Sequence, residues 1–156
     1  MSQKHPIIAV TGSSGVGTSI ARNAFEYMFH KNGIKAAFIE GDCFHRYNRA
    51  EMDQISSEAE QKGERLTHFG PEGNLFDELE NLFKGYAESG TGKYRFYIHD
   101  EKEASQHGYL PGTLTPWQEL KPGTDLLFYE GLHGGLVTDT VDVTQYIDLL
   151  LSLIHI

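Results

Sequence analysis

The sequence predicts an α/β fold in which a mainly parallel sheet is flanked by helices. Short apolar runs rich in β-branched and aromatic residues alternate along the chain with segments of helical periodicity, which is the pattern of this architecture. A glycine-rich segment at residues 12–17 lies where the first strand should pass into the first helix. The chain has 156 residues, 39% of them hydrophobic, and no internal repeat, so we expect a single domain over residues 1–156.

Four strands are expected in the main sheet. The first three are apolar on both faces, which is typical of strands covered by helices. The last has no following helix to cover it, so we expect it to leave an exposed apolar edge. The predicted strands are Ile7–Thr11, Ala36–Glu40, 126–129 and 147–156. A further, half-exposed strand is expected over residues 93–99, where polar and aromatic residues alternate.

Three helices are expected between these strands. The spacing of apolar residues predicts helices over residues 17–30, over 49–62, and from 71 or 72 to 88. The residues that should face the core are Ile20, Ala24, Phe25 and Met28 in the first helix, and Leu75, Leu79, Leu82, Phe83 and Tyr86 in the third.

The charge and the apolar pattern exclude several classes of protein. The net charge of −9 argues against a nucleic-acid-binding surface, because phosphate backbones require a basic footprint. No apolar run approaches the ~18 residues of a membrane-spanning helix, and the N-terminus lacks the features of a secretory signal. Since the single cysteine cannot form a disulfide within the chain, we expect a cytoplasmic protein with no membrane or nucleic-acid partner.

Residues 12–19 have the glycine spacing and the terminal hydroxyl of a phosphate-binding P-loop. The backbone N–H groups of such a loop can face phosphate oxygens, and the Ser19 hydroxyl can bind a Mg²⁺ that bridges two phosphates. ATP with Mg²⁺ is therefore the expected cofactor, bound by Gly12, Ser13, Ser14, Gly15, Val16, Gly17, Thr18 and Ser19. Thr18 stands where most P-loops have a lysine, so the loop either is non-catalytic or receives its cation from another segment.

A second polar segment, residues 40–49, follows the second predicted strand at the sheet edge where α/β proteins bind their ligands. A carboxylate there, Asp42, can accept the proton of an attacking hydroxyl, and His45 and Arg49 can hold an anionic substrate. The alternative is a solvated loop whose aspartate caps the next turn. Cys43 is expected to be a small, partly buried residue rather than a nucleophile, because the carboxylate beside it raises a thiol pKa.

Glu130 directly follows the strand predicted over residues 126–129. An acidic residue at that place helps to position Mg²⁺ beside many P-loops; the alternative is an ordinary polar residue at a strand end. Four histidines lie on separate segments without the spacing of a transition-metal site, so we expect no such site from His45, His68, His99 and His133.

These motifs occur together in one known family. Residues 4–8 leading into 12–19, followed by 40–46 and 127–134, closely resemble the bacterial phosphoribulokinases of the phosphoribulokinase/uridine kinase family. The resemblance covers about residues 4–148 and includes the segments 68–69, 97–100 and 111–112.

The resemblance implies an ATP-dependent kinase that phosphorylates the C1 hydroxyl of ribulose 5-phosphate, the Calvin-cycle step that gives ribulose 1,5-bisphosphate. It also implies a P-loop NTPase fold similar to that of the nucleoside monophosphate kinases, with threonine at the place of Thr18 and a homo-oligomeric full-length protein. The site residues that it implies are the base Asp42, the Mg²⁺-associated acid Glu130, and substrate contacts at His45, Arg49, His99 and His133.

Two places depart from the family pattern. Asp53 stands where photosynthetic members carry a lysine, which puts an anion near the expected sugar phosphate. Residues 149–156 are unlike the basic helix and lid that continue the family sequence, so we expect the kinase domain to be incomplete at its C-terminus. The cations left to balance a triphosphate are then scattered ones, including Arg46, Arg49, Lys93 and Arg95.

For this reason we expect little or no turnover from this chain alone. Two alternatives to a ribulose-5-phosphate kinase stay open from the residues: another P-loop small-molecule kinase, such as a uridine kinase, and a non-catalytic module that binds Mg-ATP.

Overall fold

The computed structural model describes residues 4–13 and 15–153, so Ser14 and the end of the strand predicted over 147–156 lie outside the described residues. The elements follow one another as β1 (Ile7–Thr11), α1 (Thr18–Lys31), β2 (Ala36–Glu40), α2 (Arg49–Gln61), α3 (Phe76–Ser89), β3 (Lys93–Tyr94), α4 (Glu101–His107), β4 (Gln118–Glu119), β5 (Leu126–Gly131) and β6 (Leu149–Ser152), with 3-10 turns at Gly41–Phe44 and Val143–Tyr146.

The main sheet has four strands in the order β2-β5-β1-β6, and every neighbouring pair is parallel. Helices cover both faces, since α1 packs on one side and α3 on the other. The prediction of a mainly parallel sheet flanked by helices is therefore confirmed. β1 lies between β5 and β6, which explains why Ile7, Ala9 and Val10 are fully buried.

The core on the α3 side contains the helix residues predicted to face it. Leu79, Leu82, Phe83 and Tyr86 are each at most 2% exposed and pack with Ile7, Ala9, Leu127 and Tyr129 of the sheet. The helix begins at Phe76, later than predicted, because residues 70–74 form a turn closed by the Gly73 N–H and the Gly70 carbonyl. Leu75 is consequently the N-terminal flanking residue and is only partly buried.

The prediction for the buried face of α1 is wrong except at Phe25. Ile20 is 76% exposed, Met28 is 45% exposed, and Ala24 is also exposed. The sheet-facing residues are Ala21, Phe25 and Phe29, which pack with Val10 and Phe128. Two apolar sets with the same helical spacing run along α1, one residue apart, and the sequence pattern alone does not determine which set faces the sheet.

The strand predicted over 93–99 is shorter in the structure. Lys93–Tyr94 pairs with Gln118–Glu119 in a two-stranded antiparallel sheet, and beyond it Tyr97 forms one isolated bridge with Leu114. Pro116 lies between these two pairings and has no N–H to donate, so the ladder is interrupted there.

The edge strand of the main sheet, β6, is apolar and uncovered. Leu149, Leu150 and Leu151 are 49%, 42% and 37% exposed, although their backbones pair with Ile8, Ala9 and Val10. The sequence predicted both the strand and its exposed apolar character. Among residues 4–13 and 15–153, no helix has the length and apolarity needed to cross a membrane.

Candidate active site

A cleft of about 1080 Å³ opens at the carboxyl ends of β1, β2 and β5. The residues at these three strand ends, Gly12, Gly41 and Gly131, line its floor. Parallel strands bring their carboxyl ends to one edge, which is the usual ligand site of an open α/β sheet. The cleft therefore lies where the sequence predicted the functional residues.

One end of the cleft is formed by the loop between β1 and α1. Gly12, Ser13, Gly15, Thr18 and Ser19 line the cleft, whereas Val16 and Gly17 do not. Gly15 and Gly17 have φ values of 84° and 102°, which only glycine adopts readily. This backbone leads directly into the N-terminus of α1 at Thr18, so the loop has the shape and the dipole of a phosphate cradle.

There is also no room for a side chain at Gly12. A Cβ atom there would lie 2.8 Å from Val16 Cγ2 and 3.1 Å from the Leu153 carbonyl oxygen. The close approach of the loop to the end of β1 therefore requires glycine at this position.

The two predicted Mg²⁺ ligands meet in the structure. The Ser19 hydroxyl donates a hydrogen bond to Glu130 Oε1 at 3.3 Å, although 111 positions separate them. Hydroxyl and carboxylate oxygens are the ligands that Mg²⁺ prefers, and Mg²⁺ is held by few protein ligands together with substrate phosphates. The residues present thus fit a Mg²⁺ ion placed beside the phosphate cradle.

Arg22 is a cleft residue that the sequence analysis missed. Its guanidinium forms an ion pair with Glu40 and lies 3.8 Å from Glu130 Oε2. Glu40 and Glu130 are paired in register on β2 and β5, so one arginine lies between two neighbouring carboxylates. The available signal was its position on α1, one turn beyond Thr18, which directs it back toward the loop.

Asp42 lies in the 3-10 turn that follows β2. The next two side chains of the turn, Cys43 and Phe44, are 1% and 3% exposed and anchor it in the core. The Asp42 carboxylate lies 2.9 Å from His99 Nε2 and 3.3 Å from His45 Nε2. Hydrogen bonds from these two histidines hold the pKa of Asp42 well below its usual range, so the carboxylate is ionised at neutral pH.

The alternative reading of Asp42 as a helix cap is not what the structure has. Asn48 caps α2 instead, since its Oδ1 accepts the Glu51 N–H while the Glu51 carboxylate accepts the Asn48 N–H, both at 2.9 Å. Cys43 is more deeply buried than expected, at 1% exposure in the core, and this burial raises the pKa of its thiol to about 12.

His99 lies between two carboxylates. Its Nε2 contacts Asp42, its Nδ1 lies 3.0 Å from Glu103 Oε2, and the same oxygen accepts its backbone N–H at 2.8 Å. Glu103 is held in place by α4, whose N-cap residue Asp100 accepts the Glu103 N–H. The hydrogen bond to Asp42, with a further contribution from Glu103, raises the pKa of His99 to about 9, so this imidazole carries a positive charge at pH 7.

His45 is oriented by Asn74, which is 2% exposed. The Asn74 amide nitrogen donates to the carbonyls of His68 and Gly70, at 2.7 and 2.9 Å, so its Oδ1 is the atom that accepts from His45 Nδ1 at 3.0 Å. This arrangement fixes the imidazole with its other nitrogen toward Asp42.

His133 follows β5 and forms part of the opposite wall. Its Nε2 lies 2.9 Å from the Phe69 carbonyl oxygen, and its ring packs edge-on against Phe76 with centroids 4.8 Å apart. Burial lowers the pKa of His133, so its imidazole is neutral at pH 7 and can donate to that carbonyl. His68 and Tyr97 complete the wall, and the four histidines of separate segments thus line one cleft.

Arg49 does not line the cleft. Its Nη2 donates to the His99 carbonyl oxygen at 3.3 Å, so it lies behind the segment that carries His99. The other scattered cations are also engaged elsewhere: Lys93 pairs with Glu119 at 3.7 Å, and Arg46 and Arg95 donate to backbone carbonyls. Asp53 is exposed on α2 and is not part of the cleft.

The described lining of the cleft is strongly acidic. Arg22 is its only Lys or Arg, whereas the carboxylates that line it are Glu26, Glu40, Asp42, Glu103 and Glu130. A triphosphate bound there requires Mg²⁺ and further cations to offset this charge.

A model of the Phosphoribulokinase / Uridine kinase family matches residues 7–156. This chain belongs to that family. The match includes residues 149–156, for which the sequence analysis expected no resemblance.

Individual relatives agree with this assignment. The chain is 55% identical to the chromosomal phosphoribulokinase of Cupriavidus necator and 53% identical to a phosphoribulokinase of Nitrobacter vulgaris, in both cases over 100% of this chain and 54% of the relative. The chain thus spans about half the length of these curated relatives.

The solved structures show the same fold. A phosphoribulokinase from Rhodobacter spheroides superposes with a TM-score of 0.85 and 41% identity, covering 96% of this chain and 50% of that chain. A D-glycerate 3-kinase from Cryptococcus neoformans var. grubii superposes with a TM-score of 0.55 and 14% identity, covering 85% and 44%. The first confirms the fold predicted from the resemblance, and the second agrees with it at the level of the fold alone.

Proposed function

We propose that this chain carries the nucleotide-binding and acceptor-binding part of an ATP-dependent kinase that phosphorylates the C1 hydroxyl of ribulose 5-phosphate. The observation that carries the proposal is a single cleft that joins an ionised, doubly hydrogen-bonded Asp42 to a phosphate cradle with the Ser19–Glu130 oxygen pair. The relatives named phosphoribulokinase support the choice of acceptor.

In this proposal Asp42 is the general base. The acceptor oxygen forms a bond to the γ-phosphorus of ATP while the bond from that phosphorus to the β,γ-bridging oxygen breaks, and ADP leaves. The acceptor proton passes to the Asp42 carboxylate. A weakly basic carboxylate is sufficient because phosphoryl transfer has a loose transition state that needs little activation of the nucleophile, and orientation of the hydroxyl contributes more.

Residues 12–19 bind the triphosphate through backbone N–H groups, and Ser19 and Glu130 would hold Mg²⁺. When bound, the ion neutralises charge on the transferred phosphoryl group. Arg22 lies beside Glu130 and gives the cradle a side-chain cation in the absence of a P-loop lysine.

The sugar phosphate is bound by the histidine wall. His99 supplies a positive charge, and His45 and His133 line the same wall in orientations fixed by Asn74 and by the Phe69 carbonyl. Arg49 is a further substrate contact in this proposal. It would have to exchange its bond to the His99 carbonyl for one to the phosphate.

A module that binds Mg-ATP without turnover is the second candidate, and the acidic lining of the cleft is what favours it. With one arginine and five carboxylates among the described lining residues, charge neutralisation of a transferred phosphoryl group is incomplete. We therefore expect little or no turnover by residues 1–156 alone.

Two measurements test the proposal. Calorimetric titration of this chain with Mg-ATP should show binding that Ser19→Ala weakens by roughly 10–100-fold, as for loss of a metal contact. The matched control is Ser57→Ala, whose hydroxyl donates to the Asp53 carbonyl on the exposed face of α2. Equal weakening by both variants, or binding unaffected by Ser19→Ala, contradicts the assigned loop.

The second measurement is ribulose-5-phosphate-dependent ADP release by the intact gene product. Asp42→Asn should lower kcat by roughly 10²–10⁴-fold, whereas Asp139→Asn, at an exposed position outside the cleft, should not. ADP release that responds to uridine and not to the sugar phosphate indicates the uridine-kinase alternative. Mg-ATP binding with no release for either acceptor indicates the binding module.

A further inference from the structure

Arg95 lies behind the turn that carries Asp42 and contacts it at two points. Its Nε donates to the Cys43 carbonyl oxygen at 2.9 Å, and its Nη2 donates to the His45 carbonyl oxygen at 2.6 Å. The Arg95 side chain does not line the cleft. It therefore contacts the backbone of the turn from outside the cleft.

The guanidinium is itself held in one orientation. Its central carbon lies 4.4 Å from the centroid of the Trp117 ring, and Trp117 in turn packs against Phe44 of the same turn with centroids 6.0 Å apart. Stacking on an aromatic face and two charge-assisted hydrogen bonds restrict a side chain that would otherwise have many rotamers.

The two carbonyls belong to residues on either side of Phe44, and both lie within three positions of Asp42. The described 3-10 turn is one turn long and ends at Phe44, so its last carbonyls need partners from outside the turn. Arg95 supplies those partners from a segment 50 and 52 positions away in the sequence.

We propose that Arg95 is a positioning residue that fixes the turn carrying Asp42 and His45, so that the Asp42 carboxylate stays within hydrogen-bond reach of His99. The part that concerns catalysis rests on the proposed function of Asp42; the part that concerns geometry does not. A lysine cannot replace this arginine, because one ammonium cannot reach both carbonyls as a planar fork while it lies over Trp117.

The test is a proton-detected NMR titration of the histidine rings in this chain, in the wild type and in Arg95→Lys. The pKa of His99 is the readout because it depends on contact with Asp42. We expect it to fall from about 9 in the wild type to below about 8 in Arg95→Lys, and not to reach its ordinary value, since Glu103 remains.

Arg65→Lys is the control substitution. Arg65 is exposed, and no described hydrogen bond joins its side chain to the turn that carries Asp42 and His45. Its substitution should leave the pKa of His99 at the wild-type value. An unchanged pKa of His99 in folded Arg95→Lys, or an equal fall in both variants, overturns the proposal.

A second measurement needs no variant and covers the case in which Arg95→Lys does not fold. In the wild type the Nε–H proton of Arg95, which is hydrogen-bonded to the Cys43 carbonyl, should exchange with water more than tenfold more slowly than that of Arg65. Arg65 is exposed, and the structure describes no such hydrogen bond for it. Equally fast exchange overturns the proposal. Neither readout requires ATP or turnover. The Arg95 result would therefore stand if the proposed kinase function failed, and the kinase function would stand if the Arg95 proposal failed.

Discussion

The Nε2 atom of His99 lies 2.9 Å from the Asp42 carboxylate, although 57 positions separate the two residues. Asp42 comes from the turn after β2, and His99 comes from the segment before α4. Their contact joins a carboxylate held ionised to an imidazole held protonated. The stability of the fold must therefore depend on pH through this pair.

We expect His99 to stabilise the protein at low pH and to lose this effect at high pH. Because its pKa is raised to about 9 from 6.5, the contribution is complete below 6.5 and disappears as the pH rises through 9. Between pH 6 and pH 10 the free energy of unfolding, measured with urea, should fall by about 1 kcal/mol more in the wild type than in His99→Gln. This figure is reduced because the His99 side chain is 38% exposed.

Asp42 gives the opposite dependence, since its pKa is lowered. Its contribution is present above the usual pKa of 3.8 and disappears as the pH falls through the lower value of the folded state. Identical pH dependence of unfolding in the wild type and His99→Gln would contradict the assignment of His99 as the charged partner.

The second prediction concerns Glu103. Its carboxylate accepts hydrogen bonds from both the ring and the backbone of His99, so Glu103→Gln should lower the pKa of His99 by less than loss of Asp42 would. Glu101→Gln, on the same helix and without a hydrogen bond to His99, should leave it unchanged. Histidine-ring NMR distinguishes the two variants, and a larger fall in Glu101→Gln would contradict the prediction.

The sequence predicted which residues line the cleft better than it predicted which partners those residues contact. The P-loop and Asp42 follow strands, and Glu130 lies near the carboxyl end of β5 at the same sheet edge, so strand order was enough to bring them to one cleft. The roles of Asn74 and Arg95 depend on where loops cross in space, and no local pattern of polar residues encodes that. Arg49 illustrates the same limit, because its helix position was clear but its partner, the His99 carbonyl, was not.

The fold shows the same division. The strands Ile7–Thr11 and Ala36–Glu40 were predicted to the residue, since apolar runs between turn residues are defined locally. The buried face of α1 was not, because two apolar sets one residue apart satisfy the same periodicity.

The third prediction tests that face. Phe29 is 7% exposed and packs with Phe25, Phe38 and Phe128, so Phe29→Ala should lower the free energy of unfolding by about 3–4 kcal/mol. Its neighbour Met28 is 45% exposed, so Met28→Ala should cost less than about 1 kcal/mol. Urea unfolding of the two variants measures both losses. A greater loss of unfolding free energy in Met28→Ala would contradict the observed face and support the buried face that the sequence predicted for α1.

The last prediction concerns the closest backbone approach at the floor of the cleft. A Cβ at Gly41 would collide with the Tyr129 hydroxyl and would lie 3.1 Å from Gly131 Cα. Tyr129 is fully buried and cannot swing aside. Gly41→Ala should therefore destabilise the protein by about 1–3 kcal/mol, and it should also move the adjacent Asp42 away from His99.

A double-mutant cycle separates the effect of the Tyr129 hydroxyl from the effects of the other atoms near Gly41. Tyr129→Phe removes the colliding oxygen, so it should recover about 1 kcal/mol of the loss caused by Gly41→Ala and part of the fall in the pKa of His99. Recovery should be incomplete, because the Tyr129 Cζ atom and Gly131 Cα each remain 3.1 Å from the new methyl group. Strict additivity of the two substitutions would contradict the prediction, because it would show that the Tyr129 hydroxyl does not restrict the space at Gly41.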